Sequence, residues 1–134
     1  MKIQEKLNYS YFAGLLDGEG HFCIANCTNG RGEKYKQARI ILSNTDKKMV
    51  DWIYKTYGGH ITTYKAKPER NAKEYYRWEI VGKKAITLTL FIRPFLITKQ
   101  EQSACIFNLW QIPNETFKHS DQYIEKHKQI QRFT

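Results

Sequence analysis

Residues 10–17, which read Ser-Tyr-Phe-Ala-Gly-Leu-Leu-Asp, constrain the fold more than any other segment of the chain. They predict a short helix that begins at an N-capping serine and ends at Gly18 and Gly20. Because this helix has almost no polar stripe, it must be buried on more than one side, either in a core or against a second copy of itself. The small residues Ala13 and Gly14 would let two such helices approach closely.

Two acidic residues, Asp17 and Glu19, lie at the C-terminal end of this helix. Unpaired carbonyls there disfavour an anion by roughly 0.3 to 1 kcal/mol. A divalent cation would compensate, because carboxylate and carbonyl oxygens are the ligands that Mg²⁺ and Ca²⁺ prefer. The alternative is an ordinary helix end with two solvated acids.

The rest of the chain predicts two β-hairpins and further helices. The first hairpin joins residues 21–27 to 35–44, and the second joins residues 60–67 to 74–81. The later helices are predicted at residues 49–57, 83–92, 98–111 and 120–132. We therefore expect one α+β domain over residues 1–134. Its antiparallel sheet would have helices on one face and a free opposite face, with the helices of about residues 98–132 packing on the core.

The chain is strongly basic, with 22 Lys and Arg against 13 Asp and Glu and a formal charge of +9. This charge favours a polyanionic partner, although it could serve solubility alone. The basic residues are spread over several segments and interleaved with nine Tyr and three Trp, and no single basic amphipathic helix is present. Nucleic acid is therefore favoured over a membrane surface.

From the sequence we expect an intracellular, reducing location. This is either an organelle or the cytoplasm of a bacterium, and in the second case the gene belongs to the bacterium or to a phage. No apolar run approaches the roughly 18 residues of a membrane-spanning helix, and the N-terminus lacks a secretory signal. Cys23 and Cys27 lie in one predicted strand, too far apart to bridge. We expect reduced packing thiols rather than a structural zinc site.

Residues 12–20, Phe-Ala-Gly-Leu-Leu-Asp-Gly-Glu-Gly, resemble the LAGLIDADG motif, with conservative or common replacements at Phe12, Gly18 and Glu19. The similarity continues through residues 42–48, the Gly58-Gly59 pair and residues 94–100. The chain therefore resembles the LAGLIDADG homing endonucleases over nearly its whole length.

The resemblance implies an αββαββα fold in which the antiparallel sheet forms a DNA-binding saddle and the helices lie on its other face. A chain with one motif is expected to form a homodimer through the motif helix, with Asp17 helping to cap the paired helix. The residues expected at the dimer interface are Phe12, Ala13, Gly14, Leu16 and Asp17.

The resemblance also implies a catalytic site that hydrolyses double-stranded DNA with Mg²⁺. Glu19 and the backbone carbonyl of Gly18 are expected to bind the metal, with Mn²⁺ able to substitute and Ca²⁺ able to bind without supporting cleavage. Asn44, Lys48 and Lys99 are expected around the scissile phosphate, with Lys47 as the alternative to Lys48. Asn44 could instead be only a helix N-cap, and the lysines could be solvated.

Alternation along the second strand places Gln37, Arg39 and Ile41 on the face opposite Ala38, Ile40 and Leu42. Gln37 and Arg39 are therefore expected to face DNA, where Arg suits guanine and Gln suits adenine. Seven further residues are weaker candidates for DNA contact, because a one-residue error in the register would reverse the two faces of a strand. They are Asn26, Thr28, Arg31, Lys65, Lys67, Tyr75 and Arg77.

Two other functions remain open at this point. One is a catalytically inactive relative that binds DNA as a transcription regulator or RNA as an intron maturase, and retention of Glu19 and Lys99 argues against lost catalysis. RNA is a partner only in the maturase case. The other is an interaction protein whose first helix serves only to dimerise, which the basic charge argues against.

Overall fold

A four-stranded antiparallel sheet organises this computed structural model, which describes residues 1–71 and 73–110. The strands are β1 (Gly20–Thr28), β2 (Lys34–Asn44), β3 (His60–Tyr64) and β4 (Tyr75–Val81). Their order in the sheet is β1-β2-β4-β3, so each hairpin is antiparallel and the two hairpins meet at β2 and β4. The helices are α1 (Ile3–Glu19), α2 (Lys47–Tyr57), α3 (Lys83–Ile92) and α4 (Gln100–Trp110).

The predicted α+β class and element order are confirmed. The helix predicted over residues 120–132 lies outside the described part of the chain. None of the described helices is both long and apolar enough to cross a membrane.

Helix α1 is longer than the sequence predicted. Its N-cap is Lys2, which makes no side-chain capping bond, so Ser10 lies within the helix and the prediction that it begins there is wrong. The segment before Ser10 contains Leu, Gln, Glu and Lys, which favour helix. At the other end Gly18 is still helical and Gly20 is the C-cap. A Cβ on Gly20 would clash with the Leu16 side chain.

The core lies between one face of the sheet and the helices. Alternate residues of the strands supply the sheet side, because successive side chains point to opposite faces. The fully or nearly buried members on the sheet are Phe22, Ala38, Ile40, Leu42, Trp78 and Ile80, and those on the helices include Phe12, Ala13, Leu16, Val50, Ile53, Ala85, Leu88 and Ile92. The alternation predicted for β2 is therefore present, and the opposite sheet face has no covering helix among the described elements.

Three of the residues predicted at a dimer interface belong to this core instead. Phe12, Ala13 and Leu16 have no accessible surface within a single protomer. A side chain with no accessible surface cannot contact a second chain, so this part of the interface prediction is wrong. Gly14 and Gly18 lie on the exposed side of α1.

The second hairpin is shorter than predicted. Strand β3 ends at Tyr64, which pairs with Tyr75 at the start of β4. Beyond that pair a 3-10 turn at Pro68–Arg70 leads the chain away, because proline cannot donate to a strand ladder.

At the other end of β3 the Trp78 indole N–H donates to the Gly58 carbonyl at 2.7 Å and so joins the end of α2 to the sheet.

Candidate active site and nucleic-acid interface

The C-terminal end of α1 is closed by Lys99. Its ammonium donates to the carbonyl oxygens of Leu16 at 2.7 Å and Asp17 at 2.8 Å. Both carbonyls belong to the last turn of α1, where the helix dipole attracts cations, and the Leu16 carbonyl also accepts from the Gly20 N–H. A lysine 82 residues further along the chain thus supplies part of the positive charge that this helix end favours.

The Asp17 carboxylate is used within its own chain. It accepts from the backbone N–H groups of Ile97 at 2.7 Å, Thr98 at 3.2 Å and Lys99 at 3.1 Å, and from the Thr98 hydroxyl. These donors lie just before α4, so the carboxylate serves the N-terminus of α4. The structure thus shows Asp17 capping a helix of its own chain, and the expected help in capping the paired helix stays a prediction.

Glu19 is exposed and is held by Asn44. The Asn44 amide nitrogen donates to Glu19 Oε2 at 2.5 Å, which joins the end of α1 to the end of β2. The Asn44 side-chain oxygen, Oδ1, accepts from the Asp46 N–H at 2.8 Å. Asp46 itself is the N-cap of α2, since its carboxylate accepts from the Lys48 N–H at 3.0 Å. The side-chain oxygen of Asn44 therefore supports the turn before α2, although Asn44 is not the N-cap of that helix. The side-chain nitrogen of Asn44 contacts Glu19.

The two candidate lysines of α2 differ in their contacts. Lys47 forms an ion pair with Asp51 one helical turn later, at 2.9 Å. Lys48 is exposed, and its ammonium has no ion pair with an acid in residues 1–71 and 73–110. The structure brings Glu19, Asn44 and Lys99 to one end of α1 but does not bring Lys48 into contact with them. A role for Lys48 stays a prediction.

His21 is a further titratable residue of this region. It lies in β1 two residues after Glu19, opposite Ile41, and therefore on the free sheet face. Burial lowers its pKa, and the charges of Arg77 and Lys99 lower it further. The neutral imidazole is thus favoured at the junction between the helix end and the sheet. Its position directly after the motif was the only sequence signal for it.

The free sheet face carries a linked set of polar side chains, which we call the sheet cluster: Cys27, Gln37, Arg39, Arg77 and Glu79. Glu79 Oε2 accepts from Arg77 Nη2 at 3.2 Å and from Arg39 Nη1 at 3.5 Å. Arg39 Nε donates to Gln37 Oε1 at 3.2 Å, and Arg39 Nη2 lies 3.5 Å from Cys27 Sγ. The predicted face of Gln37 and Arg39 is correct, and Arg77 shares it.

Other predicted DNA contacts lie elsewhere. Asn26 pairs with Lys36, and its side-chain oxygen accepts from the Lys36 ammonium. By alternation Asn26 and Thr28 lie on the side of Phe22, opposite Gln37, so they do not extend the face of the sheet cluster. Arg31 is exposed in the turn between β1 and β2.

Lys65, Lys67 and Tyr75 line a cleft of about 340 Å³ near the loop between β3 and β4. Arg70 and Tyr64 complete much of its wall, and the Tyr64 and Tyr75 rings stack at 4.7 Å. The three predicted residues are thus brought together, and the basic side chains and stacked rings form one patch at the outer end of the second hairpin.

A metal site built from protein side chains alone is not found in the described residues. They contain no group of three or more His, Cys, Asp or Glu side chains placed to hold an ion. The oxygen ligands available at the end of α1 are the Glu19 carboxylate and backbone carbonyls such as that of Gly18.

No family model matches the chain, and no curated protein matches it in sequence. Its structure is similar to that of the homing endonuclease I-CvuI in complex with its target in the presence of calcium, with a TM-score of 0.78 and 15% identity over 99% of this chain and 85% of that chain. It is also similar to the archaeal intron-encoded homing endonuclease I-Vdi141I complexed with DNA, with a TM-score of 0.72 and 14% identity over 97% and 86% of the two chains.

A third similar structure is the I-SmaMI LAGLIDADG homing endonuclease bound to cleaved DNA, with a TM-score of 0.64 and 16% identity. There the match covers 90% of this chain but 41% of that chain. These similarities show that the chain has the LAGLIDADG homing endonuclease fold, as the motif resemblance implied.

Proposed function

We propose that this chain, which has the LAGLIDADG homing endonuclease fold, is a homing endonuclease that cuts both strands of a specific double-stranded DNA site. The observation that carries the proposal is the contact between Glu19 and Asn44. It fixes an exposed carboxylate at the end of α1, next to a free sheet face that presents arginines. A carboxylate of this kind has no evident role in folding, because the adjoining helix end disfavours it.

The free sheet face supports DNA recognition. Gln37, Arg39 and Arg77 lie on it, and their side chains can present donors and acceptors to base edges in a major groove wide enough for a β-ribbon. The lysines and arginine of the cleft near Tyr75 suit phosphates further along the duplex. The basic charge of the chain fits a partner of this kind.

Mg²⁺ fits the helix end as an ion shared with the substrate. Mg²⁺ keeps several waters and is commonly bound by one or two carboxylates together with substrate phosphates. Glu19 and the Gly18 carbonyl would provide the protein ligands, which agrees with the lack of a larger ligand cluster in the part of the chain that the structure describes. When bound, the ion would activate water and stabilise the leaving oxygen. We expect Mn²⁺ to replace it and Ca²⁺ to bind without cleavage.

The surrounding residues hold this carboxylate in place. The Asn44 amide donates to one of its oxygens and limits its rotation. Lys99 neutralises the carbonyls of Leu16 and Asp17, which reduces the repulsion that an anion meets at a helix C-terminus. Lys99 would thus act as a positioning residue for Glu19, besides its expected place near the phosphate.

A homodimer is supported by the exposed side of α1. Leu7, Tyr11, Gly14 and Gly18 recur at helical spacing, and Leu7 is 57% exposed. A Cβ on Gly14 or Gly18 would meet no atom within 4 Å, so the protomer itself does not require glycine there. Glycine within a helix costs about 1 kcal/mol relative to alanine. Close packing against the α1 helix of a second copy would account for both glycines.

A twofold dimer would place one Glu19 near each DNA strand, and its target should be nearly palindromic. The test is to incubate the protein with a random double-stranded library in Mg²⁺ and to sequence the cleaved molecules. We expect one long, nearly palindromic site cut on both strands, and no cutting in EDTA.

Two results would redirect the proposal. Enrichment of a bound site that stays uncut in Mg²⁺ and Mn²⁺ would favour a DNA-binding regulator. The absence of any enriched site, bound or cut, would contradict a DNA function.

A further inference from the structure

Glu79 is an acidic residue at the centre of a face that is otherwise suited to bind a polyanion. It lies in β4, one of the two central strands, with Ile41 as its neighbour in β2 and His60 as its neighbour in β3. Alternation with the buried residues Trp78 and Ile80 places it on the free face. An acid in this position repels DNA phosphates and so lowers the affinity for DNA. A contribution of Glu79 to recognition therefore has to be a gain in specificity that offsets this loss.

Glu79 holds two arginines at once. The same oxygen, Oε2, accepts from Arg77 at 3.2 Å and from Arg39 at 3.5 Å. The side chains are partly shielded from solvent, with 24% of Glu79, 28% of Arg39 and 37% of Arg77 exposed. The same three charges act on the pKa of the Cys23 thiol, which burial raises, so all three lie near that side chain.

Arg39 is fixed from three directions. Besides Glu79, its guanidinium contacts the Gln37 amide oxygen through Nε and the Cys27 sulfur through Nη2. A guanidinium is a planar fork of five donors, and bonds to three partners leave little freedom to its orientation. Partly exposed ion pairs add little to folding stability, so the arrangement has its main consequence for what the arginine can recognise.

We propose that Glu79 is a specificity-determining positioning residue that aligns Arg39 and Arg77 for base contacts and keeps them from binding phosphates without sequence preference. The inference rests on the proposed DNA function. It predicts that Glu79 lowers affinity for DNA in general while it raises the preference for the correct site. A residue that merely stabilised the sheet would not have these opposite effects.

The test compares Glu79→Gln with Glu74→Gln. Both variants remove one negative charge, but Glu74 is exposed and lies outside the sheet cluster. Dissociation constants are measured in EDTA, so that the DNA stays intact, for the selected site, for each of its single-base variants and for an unrelated duplex.

Both variants should bind the unrelated duplex up to several-fold more tightly, because each lowers phosphate repulsion. Only Glu79→Gln should also lose discrimination between the selected site and its variants, by about tenfold at the affected positions.

The effect should pass through Arg39. At the base positions that Arg39→Ala relaxes, adding Glu79→Gln to Arg39→Ala should change discrimination by less than about twofold, since the group that Glu79 aligns is gone. Arg39→Lys gives a second test that does not alter the charge. Lysine lacks the planar fork, so this variant should lose discrimination at those same positions.

The outcomes separate the two proposals. A wild-type protein that binds all duplexes equally would contradict the proposed function itself. A wild-type protein that discriminates, together with a Glu79→Gln profile that matches the profile of Glu74→Gln, would overturn the role of Glu79. If Glu79→Gln does not fold, full discrimination by Arg39→Lys would overturn it as well.

Discussion

Lys99 and Asp17 bond to each other in both directions. The Lys99 ammonium donates to the Asp17 carbonyl at 2.8 Å, and the Asp17 carboxylate accepts from the Lys99 backbone N–H at 3.1 Å. The first bond neutralises the C-terminus of α1, and the second places a negative charge at the N-terminus of α4. Both suit the helix dipoles. These two bonds therefore attach the N-terminus of α4 to the C-terminal end of α1, beside Glu19.

We predict that Lys99→Met lowers the free energy of unfolding by about 1 to 3 kcal/mol, because the Leu16 and Asp17 carbonyls lose a charged donor. Methionine keeps most of the apolar stem, so lost packing is a minor part of the effect. Chemical denaturation measures the change. Lys34→Met, at an exposed position of β2, should alter stability by less than about 0.5 kcal/mol. Equal stability of the two variants would show that the helix-end contact does not contribute.

Asn44→Ala should reduce the cleavage rate by about tenfold to a hundredfold with little change in DNA affinity, because groups that orient a metal ligand have effects of this size. The control is Asp46→Ala, which removes the N-cap of α2 but not the bond to Glu19. It should cost about 1 kcal/mol of stability and leave the rate of the folded enzyme nearly unchanged. Similar rates for both variants would mean that Asn44 only supports the turn.

Gly14→Leu should shift the protein from dimer to monomer, because a large side chain on the exposed side of α1 would block close approach of a second helix. The protomer has open space at this position and should still fold. Light scattering at micromolar concentration gives the mass. Gly30→Leu is the control, since it also adds leucine where no atom lies within 4 Å, but in the turn between β1 and β2. A wild-type monomer, with and without DNA, would contradict the dimer.

Arg39→Ala should relax base preference at a few positions of the target, whereas Lys65→Ala should weaken binding to all sequences and flatten its salt dependence. The two residues lie in different places, Arg39 in the sheet cluster and Lys65 in the loop after β3, at the cleft near Tyr75. Binding-site selection and salt titration separate the two behaviours. An unchanged sequence profile for Arg39→Ala would mean that this face does not read bases.

The alternation of residues along a strand was sufficient to predict which side chains of β2 face the core. Burial of Ala38, Ile40 and Leu42 enforces a period of two, which placed Gln37 and Arg39 correctly on the free face. Beyond Phe22 no residue of β1 is fully buried, so the sequence has no buried set from which to assign the faces of Asn26 and Thr28. The register between β2 and β4 brings Arg39 to Glu79, and that register is a property of tertiary pairing.

Helix α1 shows a second limit of sequence reasoning. Its apolar character predicted burial but could not distinguish the core of one protomer from contact with another, so Phe12, Ala13 and Leu16 were placed at the wrong surface. The bonds between Asp17 and Lys99 join residues 82 positions apart, and no local pattern indicates them. By contrast, the family resemblance led us to expect Glu19 and Asn44 in one site, and the two side chains are in contact.

The most direct test of the account is the cleavage activity of Glu19→Gln. Glutamine keeps the size of glutamate but removes the charge that a hard cation requires. Double-strand cleavage of the selected site in Mg²⁺ should be abolished. Affinity for that site should stay within about twofold of wild type, since base and phosphate contacts come from the sheet. Gel assays and binding titrations of both proteins give the two numbers. Cleavage by Glu19→Gln at the wild-type rate would contradict the assignment of Glu19 as the catalytic metal ligand.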